Sequence, residues 1–127
     1  MASLLTGANR HDVTQLIPLI DAIPRIAGKV GAPLSKPKRV LGDRGYDSNP
    51  HRTKLSGRGI ATDIARRNTG HGSGLGVFRY VAEQTIALFH QFRRLRTRFD
   101  KRDDIHEAFM SLGCSMICWR RFRSSTV

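Results

Sequence analysis

Ten carboxylates are spread over 127 residues, few enough for each to be weighed singly. Asp43 follows the apolar run Arg39-Val40-Leu41-Gly42 and precedes Arg44-Gly45. If that run is a buried strand, the carboxylate stands at the C-terminal edge of a sheet, where α/β folds place ligands and metals. The same residue before a glycine-containing turn serves equally well as ordinary turn chemistry. Glu83 lies in a helix-periodic stretch one turn after Arg79, and alone it is accounted for by an Arg79–Glu83 pair at i, i+4, stabilising by roughly a few tenths of a kcal/mol. Together the two acids suggest sharper chemistry. A hard divalent cation such as Mg²⁺ takes carboxylate oxygens, and two-metal phosphoryl transfer needs several acids converging from strand ends and a nearby helix. Such sites usually draw on about three acids, of which this reading supplies two.

The charge balance points to a partner. There are 22 Lys+Arg against 10 Asp+Glu, a formal net charge of +12, and 17 of the 22 cations are arginine, whose planar fork suits phosphate oxygens. A polyanion, nucleic acid, is the partner this favours; a solvated basic surface without a specific ligand is the bland alternative. Residues 93–102 concentrate Arg93, Arg94, Arg96, Arg98, Lys101 and Arg102 against Asp100. As a helix end the cluster would complement the macrodipole. As a DNA surface it would make sequence-independent phosphate contacts, weakened by salt. No helix-turn-helix pattern assigns base readout.

Other chemistries are excluded or demoted. No apolar run approaches the length of a membrane span, and Met1-Ala2-Ser3-Leu4-Leu5 is too short for a signal-peptide apolar region, so neither secretion nor membrane insertion is expected. Cys114 and Cys118, four apart on one helical face, read as reduced core thiols of a cytoplasmic protein and lack zinc-type companions. The glycine-rich run within residues 68–76 has neither dinucleotide-binding spacing nor a P-loop lysine and reads as a mobile connection.

The elements that must position these residues follow from pattern. Ser3-Leu4-Leu5-Thr6 is strand-like, leading into the turn residues Gly7-Ala8-Asn9. Asp12 as N-cap with Gln15 at the capping-box position predicts a helix burying Val13, Leu16, Ile17 and Ile20, ended by Ile23-Pro24 and Gly28. Residues 28–38 are Gly, Pro and Lys rich and predict a flexible loop. After the strand ending at Asp43, Ser48 or Asn49 caps a helix with Pro50 at its first position, stopped by Gly57-Arg58-Gly59. Residues 60–65 form a second strand, and strand, helix, strand implies a parallel α/β sheet. A helix over 77–99 carries Glu83, with Phe78, Val81, Leu88, Phe92, Leu95 and Phe99 on its apolar face. A last helix over 104–122, with Asp104 and Glu107 as capping box, buries Ile105, Phe109, Leu112, Met116 and Trp119.

Four blocks in order now resemble the DDE transposases of bacterial insertion sequences, in particular the insertion-sequence-five group. They are Gly7-Ala8-Asn9-Arg10-His11-Asp12; Val40-Leu41-Gly42-Asp43-Arg44-Gly45-Tyr46-Asp47; Arg79-Tyr80-Val81-Ala82-Glu83; and Phe89-His90-Gln91-Phe92-Arg93-Arg94-Leu95-Arg96. The resemblance implies a ribonuclease H-like α/β core in which three acids hold two Mg²⁺ ions for DNA cleavage and strand transfer. Asp43 matches the family's second acid, Glu83 its third, and Arg79 the arginine held near DNA. His90 stands where many members carry Lys or Arg, Gln84 where close relatives have arginine, and Gly76 where a tyrosine is frequent. The family's first aspartate lies upstream of the Gly7-Ala8-Asn9 block, so residues 1–127 are expected to be a single partial catalytic domain lacking its first strands and first acid. Asp12, read as a helix cap, is a poor substitute.

The expectation is therefore a DNA transposition protein, catalytically incomplete as this chain. Transposon terminal repeats and target DNA are its partners, another transposase subunit is a further one, and it is cytoplasmic and nucleoid-associated. The rival readings are a non-catalytic basic DNA-binding protein and a regulatory or defective partner of a full-length transposase.

Overall fold

The computed structural model describes residues 1–28, 30–68, 70 and 76–125. Among them the chain divides into two compact units, Thr6–Phe78 and a second made of Met1–Leu5 with Arg79–Val127. Most of the glycine-rich run at 68–76 lies outside the described residues.

In the first unit the order is a 3-10 turn at Asp12–Gln15, helix α1 (Leu16–Asp21), strand β1 (Arg39–Gly42), a 3-10 turn at Arg44–Tyr46, helix α2 (Asn49–Gly57) and strand β2 (Ala61–Ile64). The strands pair in parallel with Arg39 opposite Ala61 and Gly42 opposite Ile64, the βαβ unit that the strand, helix, strand pattern requires. Helix α2 begins after Ser48, with Pro50 in its first turn, where a missing N–H costs nothing. It stops where expected, at Gly57, and Gly59 turns the chain at φ 70°. Helix α2 buries Leu55 completely against Leu16 and Ile20 of α1, Ile60, and Ile64 of β2. Ile17, Val40 and Tyr46 pack partly onto this cluster.

Three expectations are corrected, the first two in this unit. Asp12 does not cap: His11 is the N-cap residue of the first 3-10 turn and Asp12 its first member. The tight turn uses backbone and hydroxyl bonds from Thr14 to the His11 carbonyl instead. Strand β1 is not buried on both faces, since Leu41 is 44% exposed. With two strands paired, only one face is covered. Residues 3–6 form no strand, because no partner edge is paired with them among the described residues, whereas the turn at Gly7-Ala8-Asn9 closes through the Arg10 amide on the Gly7 carbonyl at 3.0 Å. Residues 30–38 form an irregular connection, and Ile26 and Leu34 make one antiparallel bridge.

The second unit contains helices α3 (Gly76–His90, of which residues from Arg79 belong to this unit), α4 (Arg93–Arg96) and α5 (Asp103–Ser124). The predicted continuous helix over 77–99 is broken: Phe92 is extended at φ −88°, ψ 107° and serves as N-cap residue of α4. The apolar spacing runs through the break unchanged, so periodicity alone cannot show it. What the break achieves is packing. A Cβ at Gly113 of α5 would lie 2.8 Å from Leu95 Cδ1 and 3.4 Å from Phe89 Cε1, so both side chains close onto the bare glycine. Gly113→Ala is expected to force Leu95 out of place and cost roughly 1–3 kcal/mol, read as a lower denaturation midpoint.

Helix α5 starts one residue earlier than expected, with Arg102 as an N-cap residue that makes no side-chain cap bond. Its buried face is also rotated. Gly113, Cys114 and Ile117 are buried, while Leu112 is 56% and Trp119 62% exposed. Ile105 and Met116 are exposed as well, and Phe109 is half-buried. The rotation follows from where Leu95 and Phe89 contact α5, which a hydrophobic stripe cannot specify. Both cysteines are free, but Cys118 is exposed, so only Cys114 is a core thiol.

Candidate active site

Asp43 leaves the C-terminal end of β1 and immediately caps the 3-10 turn Arg44–Tyr46, its Oδ1 accepting the Gly45 amide at 2.9 Å. The expected turn chemistry is thus present, at the strand end. The side chain is exposed, and Oδ2 has no hydrogen-bond donor among the described residues. A Cβ at position 45 would come within 3.0 Å of Asp43 Oδ1, so glycine there is what lets the carboxylate fold over the turn. Beside it, burial and then the charges of Asp12 and Asp43 push the Tyr46 phenol above its ordinary pKa. The 3-10 turns Asp12–Gln15 and Arg44–Tyr46 pack as neighbours, so Asp12, far from Asp43 in sequence, shares this side of the unit.

The turn is anchored at its far end. Asp47 Oδ1 accepts Arg52 Nη2 at 2.8 Å and Nε at 3.1 Å, while Oδ2 accepts the Arg67 amide at 2.8 Å. These donors, the Arg67 amide first and the Arg52 guanidinium second, hold the Asp47 carboxyl below the ordinary carboxylate range, against partial desolvation. A carboxyl whose pKa is depressed by folding stabilises the fold above its unfolded value of about 3.9 and loses that contribution as pH falls through the folded value. Asp47→Asn is thus expected to lower stability at neutral pH, with the gap from the parent closing below about pH 4 in acid-unfolding curves. Sequence reasoning missed this network. An acid just ahead of a capped helix, with an arginine one turn inside it, was the available signal.

Glu83 is exposed on α3 in the second unit. Arg79 lies one turn earlier on the same helix, and its side chain is outside those described. The next residue, Gln84, accepts Arg121 Nη2 of α5 at 2.8 Å through Oε1, which ties the two helices. Asp43 and Glu83 belong to different units, and each is described within its own.

The cationic cluster is less free than its composition suggests. Arg94 reaches Asp100 at 3.4 Å and stacks over Phe109 at 4.9 Å, Arg98 pairs with Asp103, and Arg102 Nε meets Asp104 Oδ1 at 3.0 Å. Arg102 also holds the Asp104 carboxyl below its ordinary range. Arg93 lies over Phe99 at 5.9 Å, and Arg96, Lys101 and His90 are exposed. The paired arginines are mostly exposed, so these bonds exchange readily for phosphate contacts at little cost.

An open hollow of about 420 Å³ lies elsewhere. Ile20, Asp21, Ser35, Lys36, Gly57, Arg58 and Ile60 line it. It lies toward the start of β2, the opposite end of the strands from Asp43, and Arg58 is engaged by Asp21 at 2.6 Å. Among the described residues no three His, Cys, Asp or Glu side chains gather as a metal site, and no helix is long and apolar enough to cross a membrane.

The family model for the transposase DDE domain matches residues 1–119. The chain belongs to the DDE transposase family. A curated relative from Burkholderia cepacia, named as a transposase for insertion sequence element IS402, is 59% identical over 123 residues. That match covers 97% of this chain and 58% of the relative, so this DDE transposase chain spans somewhat over half the relative's length. No solved structure matches.

Proposed function

We propose that the chain contributes the second and third acids, Asp43 and Glu83, of a Mg²⁺-dependent transposase centre built on a ribonuclease H-like core. The observation that carries the reading is the position of Asp43: first residue past a parallel strand, exposed, with one carboxylate oxygen committed to the Gly45 amide and the other open. The donor chemistry fits. A hard cation that keeps several waters needs only one or two carboxylates from a given segment. When bound, Mg²⁺ would polarise a phosphodiester and lower the barrier to attack by water or a 3′-hydroxyl.

The chain's own residues do the rest. Asp43 and Glu83 supply oxygen ligands, the Gly45 amide orients the Asp43 carboxylate, and Arg79 with the arginines of 93–102 and Lys101 hold the DNA backbone. His90, at the end of α3, belongs to the same DNA surface. Two acids hold metal less firmly than three, so cleavage by this 127-residue chain alone is expected to be weak. The exposed cations of 93–102 support, as second reading, a DNA-binding role without catalysis.

Titration of duplex DNA against salt tests the shared part of both readings. About three net phosphate contacts predict an affinity loss on the order of 10- to 100-fold between about 50 and 200 mM salt. Salt-independent or absent binding would overturn both. Binding unchanged by Asp43→Ala, with no cleavage under any divalent cation even beside an intact relative, would favour the second.

A further inference from the structure

We infer that Asp47 and Arg52 are positioning residues that fix the aim of the Asp43 carboxylate, an inference that rests on reading Asp43 as a cation ligand. Asp43 is held directly by one bond, from the Gly45 amide, so its direction depends on the turn Arg44–Tyr46 staying closed. That turn closes on itself through the Tyr46 amide to the Asp43 carbonyl at 3.2 Å and the Asp47 amide to the Arg44 carbonyl at 3.3 Å. Long bonds at an exposed strand end give little rigidity.

The clamp comes from outside the turn. Arg52 sits in the first half of α2 and reaches two ways: its Nε and Nη2 bind Asp47 Oδ1, and Nη2 also donates to the Ile64 carbonyl at the end of β2 at 2.7 Å. From the segment beyond β2, the Arg67 amide takes Asp47 Oδ2 at 2.8 Å, and Arg67 Nε returns to the Arg44 carbonyl at 3.2 Å. The loop after β1 is therefore stitched to both the end of β2 and the chain beyond it. The Asp47–Arg52 side chains are each 17% exposed, and among the described ion pairs no other has both partners so covered.

A covered ion pair is a poor way to gain stability, because desolvation offsets most of the attraction and an apolar pair of similar volume would serve as well. Its distinctive property is direction. Two donors in a fixed fork on one carboxylate oxygen, with a backbone amide on the other, permit one arrangement of the loop. Support of this kind behind a ligand typically governs metal affinity by about 10–100-fold.

The test compares the parent chain with Asp47→Asn, which keeps volume but loses charge, and Arg52→Lys, which keeps charge but loses the fork. Mn²⁺ affinity is read by titration, and amide exchange is read at Gly45 and at the ladder amides Ala61 and Ala65. Either variant is expected to weaken Mn²⁺ binding by about tenfold or more and to speed Gly45 exchange at least about tenfold, with the ladder amides speeding up by a clearly smaller factor. Unchanged Mn²⁺ affinity together with unchanged Gly45 exchange overturns the inference. So does loss of protection spread evenly over Gly45 and both ladder amides, the signature of a merely structural pair. If the parent binds no Mn²⁺ that Asp43→Asn removes, the cation reading fails by itself. The clamp is then upheld by faster exchange confined to residues 44–47 and refuted without it.

Discussion

Leu55→Ala is expected to lower the melting temperature of the first unit by about 8–40 °C and to strip protection from the β1–β2 ladder. Leu55 is fully buried and stands at the centre of the cluster formed by Leu16, Ile20, Ile60 and Ile64. Truncating a buried leucine costs about 2–5 kcal/mol, the transfer term plus the cavity left behind. In a domain of about 60–100 residues each kcal/mol moves the midpoint by about 4–8 °C. The loss is large against the whole. At roughly 0.05–0.15 kcal/mol per residue, a unit spanning Thr6–Phe78 has about 4–11 kcal/mol in total. Because Tyr46 and Val40 lean on the same cluster, the strand end that bears Asp43 should loosen with it. A shift of only a few degrees in a circular dichroism melt would show that the core does not depend on α2 in this way.

Much of the first unit is legible because each of its signals is local and they agree. Pro50 sits in the first turn of α2 and Gly57-Arg58-Gly59 stop it, although Ser48, the N-cap residue, makes no cap bond and its hydroxyl meets His51 Nδ1 at 2.8 Å instead; a helix between two strands favours the parallel pairing observed. Asp43 falls at the strand end for the same reason, as the first polar residue after an apolar run. The capping role assigned to Asp12 fails because a 3-10 turn begins one residue sooner, with His11 as its cap.

The second unit is less legible because its decisive contacts are between helices. Phe92, Leu95 and Phe99 continue the apolar spacing of α3, and nothing local says that the chain turns at Phe92 to bring Leu95 onto Gly113. Once that contact exists, it selects Gly113, Cys114 and Ile117 as the buried face of α5 and leaves Trp119 and Phe122 outside, stacked on one another with centroids 6.3 Å apart. The cationic run at 93–102 is legible as composition but not as geometry. Asp104, read as the cap of the last helix, pairs with Arg102, and its neighbour Asp103 pairs with Arg98. The Asp47 clamp was hidden for a related reason: one of its donors is a backbone amide, that of Arg67, which no side-chain pattern reveals.

The second large effect concerns the two acids together, and it decides the account. If Asp43 and Glu83 bind the same cation, removing either ligand should affect one and the same site. Mn²⁺ titration of the parent chain, Asp43→Asn, Glu83→Gln and the double variant reads this directly. A hard cation with few protein ligands loses much of its affinity with any one of them, so each single substitution is expected to weaken binding by about tenfold or more. The double variant should then fall well short of the sum of the two losses, as interacting neighbours do. An affinity that drops with Asp43→Asn but is untouched by Glu83→Gln, or losses that simply add, would mean that the two carboxylates serve separate places and would contradict the shared centre.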